Sequence, residues 1–76
     1  MDRAVLGAPA AAFAAHEAAY RAEYAHLGED AYAAGRSAEL RLLLWRDRIF
    51  LTDRYYLEHE RRARRNITGL LERLGG

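Results

Sequence analysis

Between Gly35 and Gly69 the chain runs for thirty-three residues without a glycine or a proline. Nothing else in the sequence limits the fold so strongly, because a stretch this long without a breaker and rich in Leu, Arg and Glu favours helix throughout. Ser37 suits the N-cap position, and Glu39 falls in the first turn, where a negative charge meets the positive end of the helix dipole. Leu42, Trp45, Ile49, Thr52, Tyr56, His59 and Ala63 then follow in alternating steps of three and four, a coiled-coil-like seam that Leu70 and Leu74 extend after a small phase shift. The spacing predicts one helix over about 37–74, roughly 55 Å long at 1.5 Å per residue. A second apolar stripe, Leu40, Leu43, Leu44, Phe50, Leu51 and Leu57, lies beside the first. One helix cannot cover both.

The N-terminal half supplies the other helix. Pro9 fits a first helical turn, where its missing N–H has no partner to lose. From there a run rich in alanine carries Phe13, Tyr20, Tyr24 and Leu27 on one face, predicting a helix over about 9–34. Leu27-Gly28 is a candidate break, with Gly28 in the left-handed position, and Gly35 ends the helix in either case. Residues 1–8 read as a loose arm ahead of a single helical domain over 9–76. The expected fold class is all-α: an antiparallel helical hairpin, with or without a short linking helix, that oligomerises into a helical bundle.

Size points the same way. Of 76 residues, 16 are Ala and only 18 are larger apolar residues apart from Tyr, 11 of them Leu. At roughly 25 cal/mol per Å² of apolar surface, so small a core competes poorly with chain entropy. The chain has no Cys, which excludes disulfides and thiolate metal sites, so association with other chains is the expected source of further stability.

The charge balance narrows the partners. Twelve Arg, no Lys and 11 acids give a net charge of +1, against the strongly basic balance of a dedicated nucleic-acid or anionic-membrane binder. Arg without Lys, with abundant Ala and Gly, suits a GC-rich coding sequence of bacterial type. No apolar run approaches the roughly 18 residues that a membrane span needs. The opening "MDRAVLGAPAAAFAA" mimics a secretion signal only loosely, being mostly Ala and interrupted by Pro9, so a cytoplasmic location is expected and the glycosylation pattern at Asn66-Ile67-Thr68 is discounted.

Three constellations remain. In "EHERRARR", Glu58–Arg62 and Glu60–Arg64 are acid-first pairs four apart, which leaves Arg61 and Arg65 as an unpaired stripe on a solvated face. Tyr, Trp and Arg concentrate in interface hot spots, and the adjacent Tyr55 and Tyr56 diverge by about 100° on a helix, so one of them must face away from the first helix. Trp45, Ile49, Tyr55, Tyr56, Arg61 and Arg65 are therefore the expected protein interface. Glu23-x-x-His26, with His16 seven residues before Glu23 and with His59 and Glu60 on the second helix, has the spacing of carboxylate–histidine sites that bind iron, manganese or zinc between helices. A hairpin centred on Gly35 instead sets Glu23 against Arg48 and Asp30 against Arg41, pairings that form salt bridges and disfavour a cation. One Ser, no Cys and no Gly-rich phosphate loop leave no catalytic residue to name. The leading expectation is an oligomerising protein-interaction module without a cofactor: an accessory subunit, adaptor or inhibitor. A di-iron-type enzyme or storage protein comes second, and nucleic-acid binding through Arg61 and Arg65 third.

Overall fold

The long breaker-free stretch does break. In the computed structural model, which describes residues 3–75, three α-helices run over Ala10–Glu23 (α1), Glu29–Trp45 (α2) and Asp53–Arg73 (α3), preceded by a 3-10 turn over Arg3–Gly7, with no strand among the described residues. The helix expected over 37–74 is thus the second half of α2, a turn over 46–52, and α3. A continuous helix of about 55 Å has no place in a molecule whose longest dimension is 38 Å.

No glycine or proline makes this turn; side chains from α3 do. Arg46 leaves the helix in an extended conformation (φ −73°, ψ 148°). The Ile49 N–H donates to both Glu60 carboxylate oxygens at 3.0 Å, and the Phe50 N–H donates to one of them at 3.1 Å. Arg64 takes the other side. Its guanidinium donates to Glu60 at 2.8 Å and to the carbonyls of Leu44, Arg46 and Asp47 at 2.9, 2.7 and 3.3 Å. The polar backbone groups freed where α2 stops thereby find partners, which a buried helix end requires. The turn drives Ile49 and Phe50 into the core at 0% and 4% exposure. Thr52 then N-caps α3 through a long 3.4 Å bond from the Tyr55 N–H, with Asp53 in the first turn.

The first helix break comes at 24–28 rather than at Gly35. Arg21 donates to the carbonyls of Tyr24 and Leu27 at 2.8 and 3.2 Å, satisfying groups left over at the end of α1. Gly28 is the N-cap of α2 with φ −64°, not a left-handed terminator, and Gly35 lies inside α2. The helix dipole is matched by Glu29 and Asp30 in the first turn. With the break moved, the expected pairings change: Arg36 of α2 bonds Glu17 of α1, and Tyr20 bonds Glu39. Asp30 and Arg41 fall on one helix, eleven residues apart, and Arg48 pairs with Asp53 at 3.1 Å instead of Glu23.

The arm expected at 1–8 is docked over the described part, residues 3–8; residues 1 and 2 lie outside the described residues. Leu6 is 2% exposed. Gly7 lies so close to α3 that a Cβ there would stand 2.6 Å from the His59 Cβ, and only glycine permits that approach. Asn66 donates to the carbonyls of Leu6 and Ala8, both at 2.9 Å, and Arg62 donates to that of Gly7 at 3.4 Å. The core gathers Leu6, Phe13, Leu40, Ile49, Phe50, Ala63, Ile67, Leu70 and Leu71. The buried residues of α3, Glu60, Ala63, Ile67, Leu70 and Leu71, recur at three and four and form a single stripe.

Two glycines should therefore answer oppositely to alanine. Gly69 is helical, and a Cβ there meets only the flexible Arg73 guanidinium at 3.5 Å. Gly69→Ala should stabilise by about 0.5–1 kcal/mol, whereas Gly7→Ala should cost about 1–3 kcal/mol by overpacking. Urea unfolding of both variants checks the pair of signs.

Candidate protein-interaction face

The buried polar residues decide which surfaces remain outside. Glu17 and Arg36, both buried, form a bidentate ion pair, with the Arg36 Nε donating to Glu17 at 3.2 Å. Around it the Arg36 guanidinium stacks 4.3 Å over the Tyr20 ring, and the Arg21 guanidinium 4.6 Å over Tyr32. Burial alone would lower the Arg36 pKa, but hydrogen bonding and attraction from Glu17 outweigh it and raise the value. Burial, contact with Tyr24 and the Glu39 charge push the Tyr20 hydroxyl up to about 12. The Tyr32 hydroxyl is raised by burial and then by Glu17. Burial also acts to raise the Glu60 carboxyl, yet the Ile49 and Phe50 N–H groups and Arg64 prevail and hold it below the usual carboxylate range. These groups serve the fold. Each carboxylate is already occupied.

With Tyr32, Arg36, Ser37 and Leu40 turned inward, the opposite side of α2 faces solvent. Along it run Ala31, Gly35, Ala38, Leu42 and Trp45, in steps of four, three, four and three, all exposed and none charged. Trp45 is 88% exposed and Leu42 70%. A second group, Leu51 at 74% and Leu57 at 81%, sits on the turn and the first part of α3. Single exposed apolar residues are ordinary, but a helix face with five uncharged residues in seam spacing, ending in a bare tryptophan, is a candidate interaction surface.

The expected interface residues divide. Trp45 is exposed. Ile49 is not available, since the turn held by Glu60 buries it completely. Tyr55 and Tyr56 are both partly exposed; Tyr55 packs edge-on to Phe50 with ring centroids 6.3 Å apart, and Arg48 stacks 4.0 Å over Tyr56. Arg61 and Arg65 lie on the exposed side of α3. Their neighbours Arg62 and Arg64 are committed to backbone carbonyls, and Glu58 pairs with Arg54 at 3.4 Å rather than with Arg62.

The residues considered for metal do not converge within one chain. No group of three or more His, Asp or Glu that could hold a metal ion occurs among the described residues. Glu60 is occupied by the turn, and Glu23 is exposed at the end of α1. His26 is exposed beside Tyr24, with ring centroids 6.1 Å apart, and His16 is half-buried. His59 packs against Gly7 and the rings of Phe50 and Tyr55. The sequence did signal the buried polar residues that its periodicity left unclaimed. Glu17 fills the gap between Phe13 and Tyr20 on the apolar face of α1, and Arg36 stands midway between Tyr32 and Leu40. No helix among the described residues is long and apolar enough to cross a membrane. No protein-family model, curated protein or solved structure matches the chain.

Two outcomes test the buried pairs. Because the folded Glu60 carboxyl lies below its unfolded value of about 4.3, its contribution is complete above that value and is lost as pH falls through the lower folded one. Glu60→Gln should cost about 1–3 kcal/mol at pH 7 and flatten the acid limb of the stability–pH profile measured by urea titration. At the other pair, Arg36→Met alone strands a buried carboxylate and should cost about 3–5 kcal/mol. Adding Glu17→Leu to it should restore most of that loss, which a double-mutant cycle reads directly.

Proposed function

We propose that this protein is a small helical protein-interaction module, an accessory subunit, adaptor or inhibitor, whose binding face is the outer side of α2 ending in Leu42 and Trp45. One observation carries the reading: Trp45 stands 88% exposed at the end of an uncharged seam, although a large aromatic at that place contributes nothing to the core. Tryptophan is the residue most enriched among those that dominate binding energy, and its value there comes from being desolvated by a partner. The rest of the molecule suits the role. The buried ion pairs and the docked N-terminal turn fix α2 on a scaffold, so the face is presented with little ordering left to do on binding. Arg61 and Arg65 support nucleic-acid binding less well, since two of the four arginines in their run hold backbone carbonyls inside the fold.

A photo-crosslinking amino acid placed at position 45 tests the reading in cells. The expected result is a discrete adduct, with this chain or another protein, that disappears when Leu42 is changed to Glu. A single unadducted species at position 45, or adducts that form equally well from a control site on the far side of α3, rejects it.

A further inference from the structure

We infer that the occupant of the α2 face is a second copy of this chain, its α2 laid antiparallel on the first about a two-fold axis near Ala38. The inference rests on the proposed interaction role of that face and names the partner.

The seam is graded along its length. Its N-terminal part, Ala31, Gly35 and Ala38, carries no side chain larger than a methyl group, and its C-terminal part carries Leu42 and Trp45. A copy running the opposite way about Ala38 sets Trp45 over the partner's Ala31. It sets Leu42 over the hollow at Ala34 and Gly35, where nothing lies within 4 Å of the position a Cβ would take. Large residues meet small ones along the whole contact, the condition for close packing of two helices. A parallel copy would stack small on small and leave a gap beside the paired tryptophans.

Charge selects the same arrangement. The first turn of α2 holds Glu29 and Asp30, and Arg46 stands just past its last turn, all three exposed. Antiparallel pairing about Ala38 brings each acidic turn level with the partner's Arg46, whereas parallel pairing superposes like charges at both ends. The two helix dipoles also oppose each other only in the antiparallel arrangement. Such a contact is isologous: one patch meets itself, both copies are satisfied, and growth stops at two. A seam along a 17-residue helix, about 25 Å, falls in the small interface class, below about 1,200 Å² in total, so the dimer should be weak, with dissociation on the order of micromolar.

The test uses the purified full chain with nothing added. Sedimentation equilibrium from about 1 to 100 µM, spanning that strength, should show the 8.6 kDa chain passing to twice its mass. Trp45→Glu should abolish the shift while leaving the far-ultraviolet circular dichroism unchanged. The chain has no native Cys, so orientation is read cleanly: Ala38→Cys, on the axis, should oxidise to a covalent dimer, and Ala31→Cys, far from its own copy, should not. A chain monomeric throughout, or Ala31→Cys crosslinking as readily as Ala38→Cys, overturns the proposal. If the purified chain stays monomeric while residue 45 still forms adducts with another protein in cells, self-pairing fails and the interaction role stands. If neither occurs, both fail.

Discussion

Glu60 accepts hydrogen bonds from two consecutive backbone N–H groups and from Arg64 at once, and the shape of the molecule depends on that carboxylate being where it is. Residues 46–52 contain no glycine or proline, so the local chain gives them no reason to stop being helical. The reason is tertiary. A carboxylate and a guanidinium one helical turn apart on α3 take up the backbone polar groups that leaving the helix exposes, and burial of Ile49 and Phe50 offsets the cost of the irregular backbone. Without that arrangement α2 and α3 would be one rod, and Leu40, Phe13 and Ile67 would have no common core to share.

The arginines follow a similar logic. A chain with 12 Arg and 11 acids looks from its composition like a surface laced with ion pairs, yet several of its guanidinium groups act on the backbone. Arg21 closes the end of α1, Arg64 closes the end of α2, and Arg62 reaches the carbonyl of Gly7. A planar group with five donors can satisfy several carbonyls from one position, which a lysine ammonium on a flexible stem does less well. In a small fold with few glycines at its turns, arginine takes over the work of ending helices.

This explains what was legible in the sequence. Helical periodicity gave the all-α class and put Phe13 and Ala63 on inward faces, because those follow from local spacing. It also paired Glu60 with Arg64 correctly. It could not show that the same pair holds a turn eleven residues upstream, since the hydrogen bonds run to backbone groups, which carry no sequence signature. Gly35 misled in the opposite sense: a helix interior tolerates glycine at about 1 kcal/mol, and the surrounding contacts of Arg36 and Leu40 carry it. The docking of residues 3–8 was hidden for the same reason as the turn, since it rests on Asn66 and Arg62 reaching backbone carbonyls and on a missing Cβ at Gly7.

That docking closes the chain into a ring. Asn66 and Arg62 bind carbonyls 55 to 60 residues before them, so everything from α1 to the middle of α3 forms one loop whose ends are held together by these hydrogen bonds, by burial of Leu6 and by the close packing of Gly7 on His59. Joining ends that far apart costs about 3–4 kcal/mol of loop entropy by the logarithmic law, set against the burial of one leucine and the bonds at the clasp. The N-terminal turn packs on α3 more extensively than any other two elements pack on each other, so contact area secures the closure as well as the bonds. Release of residues 3–8 would uncover Ala63 and Ile67 from one side and would also break the bond from Arg3 to the Ile49 carbonyl, so the clasp and the turn at 46–52 are linked. The first residues of the chain thereby guard the middle of α3 and the turn before it together.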